Sequence, residues 1–354
     1  MPSISVFIPL YNRVAFIAET IESALRQTTL PDEVLVVDDG STDGSPEIVE
    51  RFQSRGVRLV RKPHTGAPET RNLGVAEANG DYVVTVGSDD VMLPHCIEAL
   101  LEGYKERPEL DLYYGDLIAT DENLKPTRRI RYPQWEARFD PLSSALYFTN
   151  QIGDGFAMAR RSWVLERGGY SSAFSRCQDW DLWARSRERF SLYHVGSDLG
   201  YWRWHGNNLS ANRSSHSRTS FDRAIRERIL SRTPAQAHMD RLGCAELSLE
   251  DRPIRIWGAG EYGSGALELL AESGAKVQGF IDSDATKWGQ SYRGLKVDGP
   301  EALFSDGSDT VTLIASVYEG EIAQALEDRG LVEGQSFFRI HGVEYCRFRQ
   351  ERLT

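Results

Sequence analysis

The sequence predicts an α/β fold with a mostly parallel sheet, followed by a second, smaller α/β domain. Short apolar runs alternate with helical stretches along the first half of the chain, in the manner of parallel strands joined by helices. The chain has 354 residues, which is more than one hydrophobic core usually holds. A polar segment then precedes a new strand. These observations predict domains at 1–232 and 253–354, joined by a linker at 233–252.

The strands of the first domain are predicted from β-branched and aromatic runs that end at turn residues. They fall at Ser3–Pro9, Glu33–Val37, Val57–Arg61, Tyr82–Val86, Leu110–Ala119 and Gly153–Arg161. Helices are predicted where apolar residues recur at helical spacing or where a capping residue opens a stretch. They follow the first three strands, with Phe16, Ile17 and Ile21 on the first, Ser45 to Gln53 as the second and Pro68 to Ala78 as the third.

The composition argues against several classes of protein. A formal net charge of −11 disfavours a nucleic-acid partner, because phosphate-binding surfaces of that kind need a basic excess. No apolar run reaches the roughly 18 residues of a membrane span, and Met1-Pro2-Ser3 enters a strand without a basic leader, so we expect a cytoplasmic protein. The four cysteines have no paired spacing, which disfavours disulfides and structural zinc.

Two adjacent acids, Asp89 and Asp90, follow the strand Tyr82–Val86. Ligands collect at the carboxyl ends of strands in open α/β sheets, and carboxylate oxygens suit a hard divalent cation that bridges phosphates. A simple turn after the strand is the alternative, since Asp is common in turns. The acids therefore predict a ligand site at this strand end, with the turn left open.

Four motifs carry a resemblance to a known family. They are SVFIPLYN at Ser5–Asn12, VVDDGSTD at Val36–Asp43, RNLG at Arg71–Gly74 and SDD at Ser88–Asp90. In order and spacing they resemble the inverting family-2 glycosyltransferases. The resemblance implies the GT-A nucleotide-diphospho-sugar transferase fold and an enzyme of the hexosyltransferase type.

The resemblance implies a pocket for a nucleotide-sugar donor, with a UDP-sugar as the expected donor. It gives donor-binding roles to Pro9, Tyr11, Asp38, Asp39, Arg71, Asp89 and Arg203. Tyr11 would lie against the base, and Asp38 and Asp39 would accept hydrogen bonds from the base or ribose. The structural alternatives are a core tyrosine, an Asp that caps a turn and, for Arg71, a surface charge on a helix.

The resemblance also implies a divalent metal, Mn²⁺ or Mg²⁺, with Asp90 and His205 as its ligands. His205 lies in the segment YWRWHGNNLS, where the family has a Y-R-x-H pattern, and Arg203 would stabilise the leaving diphosphate. The family usually has an acid at the position of Gly87. This departure predicts a weaker metal affinity.

The segment QDWDLW at Gln178–Trp183 resembles the family's ED-W-D-L-W segment and opens an amphipathic helix. On that match Asp179 is the catalytic base, which would take the proton of the acceptor hydroxyl as the new bond forms. Acids at a helix amino end are also favoured by the helix dipole, which is the structural alternative.

The second domain contains the turn GAGEYG between a strand at Ile254–Trp257 and a helix. Gly258, Gly260 and Gly263, with Asp282 at the end of the next strand, have the arrangement of a nucleotide-binding βαβ unit. The segment resembles the small Rossmann-like domain found ahead of some sugar acyltransferases. A second nucleotide site and a docking or homo-oligomer module both remain open.

The leading prediction is an inverting transfer of a sugar from a nucleotide-diphosphate donor to a hydroxyl of a glycan or glycolipid acceptor, in surface polysaccharide or glycan biosynthesis. One alternative is an NAD-linked enzyme that modifies sugar nucleotides through its carboxyl-terminal domain. Another is a degenerate transferase that binds nucleotide sugars without catalysis. The sequence does not identify the donor sugar or the acceptor.

Overall fold

The structure is a computed structural model and describes residues 1–134, 146–147, 150, 152–186, 191–208, 224–227, 229, 252–305, 310–316, 318–340 and 349–352. The chain divides into two compact units. Unit 1 comprises 1–139, 152–221 and 348–354, and unit 2 comprises 140–151 and 222–347. The terminal segment therefore belongs to unit 1, whereas the sequence predicts one boundary near residue 232. The predicted linker at 233–252 lies outside the described residues except for Arg252.

Unit 1 is built on one large sheet whose strands include short and long members. They are β1 (Ile4–Leu10), β2 (Glu33–Asp38), β3 (Val57–Arg61), β4 (Tyr82–Thr85), β5 (Val91–Met92), β6 (Leu112–Thr120), β7 (Pro126–Arg131), β8 (Met158–Arg160), β9 (Leu192–Arg203) and β16 (Arg349–Arg352). The main order is β16-β7-β6-β8-β4-β1-β2-β3, with β9 beside β6 and β5. Strands β4, β1, β2 and β3 are parallel neighbours. The predicted α/β class is confirmed.

The register of the parallel strands places their carboxyl ends at one edge of the sheet. Leu10 of β1 is level with Asp38 of β2, and Phe7 of β1 is level with Thr85 of β4. These strands are almost continuously apolar because helices cover both faces of such a sheet. The loops that follow β1, β2 and β4 therefore meet, and they carry the acids that the sequence singles out.

The helices of unit 1 pack apolar faces on this sheet. They are α1 (Ile17–Leu25), α2 (Ser45–Glu50), α3 (Ala67–Glu77), α4 (Cys96–Glu106), α5 (Arg161–Glu166) and α6 (Gln178–Ser186). In α1 the buried residues are Ile17, Thr20, Ile21 and Ala24, which is the spacing of one helix face. The helices predicted after the first three strands are present, with the second one shorter than expected.

Two strand predictions differ from the structure. The predicted strand at Gly153–Arg161 is reduced to β8, because Asp154 to Ala157 form a turn with Phe156 at a φ of 64°. Strand β9 is not predicted by the sequence, since Gly196 to Asp198 interrupt its apolar pattern. Its pairing with β6 also shifts register near Asp116.

Unit 2 has a smaller sheet and several helices in its described part. The elements are β10 (Ile254–Trp257), α7 (Glu261–Glu272), β11 (Val277–Ile281), β12 (Ser291–Tyr292), β13 (Leu295–Asp298), α8 (Ala302–Ser305), β14 (Val311–Ile314), α9 (Glu319–Glu327) and β15 (Phe337–Arg339). The order is β12-β13-β11-β10-β14-β15, and every pair is parallel except β12 with β13. Across the described residues of both units, no helix is long and apolar enough to cross a membrane.

Candidate active site

An aromatic pair lies at the ends of β1 and β3. The rings of Tyr11 and His64 stack with centroids 4.2 Å apart and an interplanar angle of 21°. Tyr11 is 41% exposed, so its ring remains accessible to a flat ligand. His64 is held by the carboxylate of Asp39, whose Oδ2 lies 2.8 Å from Nδ1. A planar aromatic surface of this kind suits a nucleobase.

The carboxylate of Asp39 is buried and fully engaged by the loop after β3. It accepts hydrogen bonds from the backbone N–H of Thr65 at 2.9 Å and of Gly66 at 3.0 Å, and it pairs with the Lys62 ammonium. Burial opposes ionisation, but the bonds from Lys62, Thr65 and Gly66 outweigh it and lower the pKa of Asp39. The residue therefore ties β2 to the loop that carries His64.

Asp38 differs from Asp39 because only one of its two carboxylate oxygens accepts a hydrogen bond. Its Oδ1 accepts the N–H of Ser41 at 3.1 Å. Its buried Oδ2 has no hydrogen-bond partner in the described part of the chain, and Arg61 Nε lies 3.7 Å away. A buried acceptor without a donor is rare, and a ligand N–H or hydroxyl is one way to satisfy it.

The loops after β1 and β2 are fixed to each other by hydrogen bonds. Asn12, at a φ of 50°, donates its N–H to Ser41 Oγ at 2.9 Å and accepts the N–H of Thr42 at 2.8 Å. The N–H of Arg13 donates to Ser45 Oγ at 2.8 Å. Pro9 pairs level with Val37 just before this turn. The loops thus hold Tyr11 and Arg13 at the edge where the strands end.

Asp89 is the point where three distant segments meet. Its Oδ2 accepts Arg13 Nε–H at 3.0 Å and lies 3.0 Å from His205 Nε2. The N–H of Asn207 donates to His205 Nδ1 at 3.2 Å, so in the neutral ring the proton is on Nε2 and is donated to Asp89. The ring of His205 also stacks on Phe16, with centroids 4.7 Å apart.

Asp90, next to Asp89, contacts the last residue of β9. Its Oδ1 accepts the backbone N–H of Arg203 at 2.9 Å, and burial together with the charge of Asp89 raises its pKa well above the usual range. A Cβ at Gly87 would lie 2.4 Å from Asp90 Oδ2. Gly87, the departure from the family pattern, is therefore the space that the Asp90 carboxyl occupies.

The guanidinium of Arg203 contacts Glu19, Glu122 and Phe16. It donates to Glu19 Oε2 at 2.5 Å and to the carbonyl of Glu122 at 3.2 Å, and it lies 4.8 Å from the ring centre of Phe16. Arg13 is the guanidinium that contacts Asp89. The sequence does not single out Arg13, since its contact depends on a residue 76 positions away.

The side chains at Asp89 fit a divalent cation. A carboxylate oxygen and an imidazole nitrogen 3.0 Å apart are ligand types that Mn²⁺ accepts. In the described part of the chain, no group of three or more His, Cys, Asp or Glu side chains converges in the manner of a metal cage. Two protein ligands are what a phosphate-bound cation uses, because phosphate and water oxygens supply the rest. Asp90 is adjacent, with Oδ1 engaged by Arg203.

A second cluster surrounds Arg71. Its guanidinium pairs with the Asp154 carboxylate and lies 5.2 Å from the ring centre of Tyr170, whose hydroxyl contacts Asp154 Oδ1 at 3.1 Å. Burial would lower the pKa of Arg71, but the charges of Asp154, Tyr170 and Asp179 outweigh it and raise the pKa. Asp179 lies in the first turn of α6 and is close enough to act on this guanidinium.

Tyr132 brings a hydroxyl to the same cluster. A Cβ at Gly153 would lie 2.5 Å from its oxygen, so the ring packs directly on the backbone before Asp154. Burial, then the charges of Asp179, Asp116 and Asp154, raise the pKa of Tyr132. The structure therefore places the Tyr132 hydroxyl with these acids.

In unit 2 the glycine turn is packed tightly against itself. A Cβ at Gly263 would lie 1.8 Å from the carbonyl oxygen of Gly258. Asp282 accepts the N–H of Ala259 at 2.8 Å and the Lys287 ammonium at 2.8 Å. A cavity of about 650 Å³ lies beside the turn, and Gly258, Gly260 and Asp282 line part of it. The second nucleotide site stays a prediction, because Asp282 is engaged by its own loop.

Comparison with known proteins identifies the part of the chain that holds this edge of unit 1. Residues 5–168 match the family model described as Glycosyl transferase family 2. Residues 5–168 are a family 2 glycosyltransferase domain. The domain includes Tyr11, Asp39, Asp89 and Asp154, while Asp179 and His205 follow it in the chain.

Two relatives of the glycosyltransferase domain come from bacteria. "Glycosyltransferase GlyG" of Streptococcus pneumoniae serotype 4 is 37% identical over 123 residues, which are 34% of this chain and 40% of GlyG. "Chondroitin synthase" of Pasteurella multocida is 27% identical over 218 residues, which are 59% of this chain and 21% of the synthase. The chain therefore spans less than half the length of either relative.

A solved structure shows the fold of the domain independently. The crystal structure of S. aureus TarS 1–349 in complex with UDP-GlcNAc superposes with a TM-score of 0.50 at 17% identity, over 76% of this chain and 80% of that one. At this identity the likeness concerns the fold alone. With the family match, it confirms the predicted GT-A fold.

Proposed function

We propose that unit 1 transfers a sugar, with inversion, from a UDP-sugar to a hydroxyl of a glycan or glycolipid. The proposal depends most on one observation, the convergence of Arg13 and His205 on Asp89 at the carboxyl edge of the parallel strands. The same edge carries an aromatic pair on one side. This edge of the sheet thus offers an aromatic surface for a base and charged side chains for a phosphate group.

The donor base is proposed to lie against Tyr11 and His64. Asp38 Oδ2, which accepts no hydrogen bond in the described part of the chain, would accept one from a base N–H or a ribose hydroxyl. Stacking on an aromatic face contributes about 1–3 kcal/mol per base. Asp39 acts by holding His64 and the loop after β3, since its oxygens are already engaged. Arg71 belongs to the cluster of Asp154 and Tyr170, and we propose that this cluster borders the donor.

Asp89 and His205 are proposed to hold Mn²⁺ or Mg²⁺, and Asp90 to fix the loop through Arg203. When bound, the cation supplies positive charge that offsets the negative charge of the leaving diphosphate. The chain's own Arg13 places a permanent positive charge at the same acid. Arg203 supports the site by packing on Phe16, which in turn stacks on His205.

Asp179 is proposed as the base. Its carboxylate takes the proton of the acceptor hydroxyl, the hydroxyl oxygen bonds to the anomeric carbon, and the bond from that carbon to the diphosphate breaks with its electrons on the leaving oxygen. Arg71 and Tyr132 lie within electrostatic range of Asp179. The first turn of α6 gives Asp179 a fixed position.

The experiment is an incubation of the purified protein with a panel of UDP-sugars, with GDP-sugars as the base control, in Mn²⁺ or in chelator. Released nucleoside diphosphate is the readout, with Asp179→Asn as the matched inactive variant. Mn²⁺-dependent release of UDP supports the proposal. Tight binding without release, with every acceptor tried, favours a nucleotide-sugar binder, and formation of NADH from NAD⁺ and a UDP-sugar favours the NAD-linked alternative.

A further inference from the structure

Arg13 joins the three segments that form the acidic end of the site. Its Nε donates to Asp89 Oδ2 at 3.0 Å, and its Nη2 donates to the carbonyl of Asn207 at 3.0 Å. Its Nη1 donates to the carbonyls of Asn12 at 3.0 Å and Tyr11 at 3.3 Å. The side chain is only 19% exposed. The loop after β1, the acid loop and the loop after β9 are therefore connected through one guanidinium.

Arg13 contacts the Asp89 carboxylate oxygen that faces His205, the other proposed cation ligand. A carboxylate oxygen has two lone pairs, and Oδ2 of Asp89 receives one donor from Arg13 and one from His205. A guanidinium is always charged, so a divalent cation at this oxygen would also be repelled by Arg13. The cation can bind at Oδ2 only where Arg13 moves or its charge is offset.

Arg13 also fixes His205 as a donor. Its bond to the carbonyl of Asn207 holds the residue whose N–H points at His205 Nδ1 at 3.2 Å. While that N–H faces Nδ1, the ring proton stays on Nε2, and Nε2 has no lone pair for a cation. Both cation ligands are thus kept in their cation-free arrangement by one side chain.

We propose that Arg13 competes with the divalent cation for Asp89, so that cation and nucleoside diphosphate bind cooperatively; this rests on the function proposed above. A diphosphate offers the guanidinium new anionic oxygens, and Arg binds phosphate through its planar fork. Arg13 then frees Asp89 Oδ2 for the cation and no longer holds Asn207 against His205. Because coupling is reciprocal, the cation strengthens diphosphate binding by the same factor.

A purely structural Arg13 gives a different result. If the side chain only held the three loops together, its loss would loosen Asp89 and His205, and the affinity for a cation would fall. A competitor gives the opposite sign, since its removal frees the oxygen and removes a like charge. The direction of the change in cation affinity therefore separates the two roles.

The test measures Mn²⁺ binding to the nucleotide-free, full-length protein from the electron paramagnetic resonance signal of free Mn²⁺. Arg13→Gln removes the charge, and Arg13→Met is a second variant that keeps an apolar stem of similar length. Arg26→Gln is the matched control, because Arg26 is a largely exposed arginine paired with Glu22 on α1. Circular dichroism checks that each variant is folded. UDP affinity with and without Mn²⁺ is measured by calorimetry.

We expect Arg13→Gln to bind Mn²⁺ more tightly than the wild type without nucleotide, by about tenfold or more, as removal of one charged hydrogen bond implies. The factor by which Mn²⁺ strengthens UDP binding should shrink in this variant and stay unchanged in Arg26→Gln. Unchanged or weaker Mn²⁺ binding by folded Arg13 variants overturns the proposal.

If neither Arg13 variant folds, the wild type decides, and an Mn²⁺ affinity that UDP leaves unaltered contradicts the proposal. A wild type that binds neither Mn²⁺ nor UDP overturns the transferase function itself. A wild type that binds both while the Arg13 variants keep its affinities overturns the role of Arg13 alone.

Discussion

His205 Nε2 lies 3.0 Å from Asp89 Oδ2, although the two residues are 116 positions apart in the chain. Strand β9 makes this contact, because it pairs with β6 and β5 and delivers the segment after Arg203 to the acid loop. The contact joins two residue types that bind divalent cations. It also shows that the acidic end of the site is completed by residues beyond the family 2 match at 5–168.

Loss of either ligand should remove the effect of a cation on the donor. In Asp89→Asn and His205→Ala, we expect UDP affinity in Mn²⁺ to fall by about tenfold or more, since these side chains would hold the cation, while affinity in chelator does not fall. Calorimetric titration of UDP measures both, with Glu50→Gln on α2 as the control. Equal UDP affinity of Asp89→Asn and wild type in Mn²⁺ would argue against the cation site.

Gly87 should resist even the smallest side chain. Gly87→Ala places a Cβ 2.4 Å from Asp90 Oδ2, so the buried carboxyl must move and we expect a loss of about 1–3 kcal/mol of unfolding free energy. Gly155→Ala is the matched control, because its Cβ would meet no atom within 4 Å. Urea denaturation measures both variants. Equal stability of the two would show that Asp90 is free to shift.

The aromatic pair should determine nucleotide affinity. Tyr11→Ala is expected to weaken UDP binding by about 1–3 kcal/mol, the usual contribution of a stacked base, while Tyr11→Phe keeps most of it. His64→Ala should weaken it less, since the Tyr11 face remains. Phe304→Ala removes an exposed aromatic side chain from unit 2, away from the cavity beside the glycine turn, and serves as the control. If Tyr11→Ala bound UDP like the wild type, the base would have to lie elsewhere.

The Arg71–Asp154 pair should support stability as well as activity. Asp154→Asn leaves the Arg71 guanidinium without its anionic partner in a mostly buried setting, and we expect a loss of about 3 kcal/mol in unfolding free energy. Glu109→Gln breaks an exposed pair with Arg107 and should change little. Urea denaturation compares them. An Asp154→Asn protein as stable as Glu109→Gln would mean that water reaches the guanidinium.

Much of the fold could be predicted from the sequence because buried parallel strands need unbroken apolar runs. Strands β1, β2 and β4 are of this kind, and the predicted bounds of these strands and of β3 agree to within one residue at each end. Strand β9 escapes prediction because Gly196 to Asp198 break its pattern. Its stability comes from pairing with β6, a tertiary contact that leaves little trace in the local sequence.

The site could be predicted only in part for a similar reason. The motifs locate Asp39, Asp89 and Asp179, since acids at strand and helix ends stand out against apolar runs. Their partners Arg13 and His64 have no such signal, because each is defined by a contact across the fold.

Lys62, the partner of Asp39, and Asp154, the partner of Arg71, also have no signal in the local sequence. The direction of the Arg203 side chain also depends on tertiary contacts. It ends a strand, and its side chain packs against Phe16 and Glu19.

In the proposed reaction Asp179 takes the proton of the acceptor during sugar transfer, and the rate of UDP release by Asp179→Asn is the decisive measurement. The substitution keeps the shape of the side chain and removes its basicity. At saturating donor and Mn²⁺ we predict that turnover falls by roughly two to four orders of magnitude while UDP affinity stays nearly unchanged. Turnover equal to that of the wild type would contradict the account.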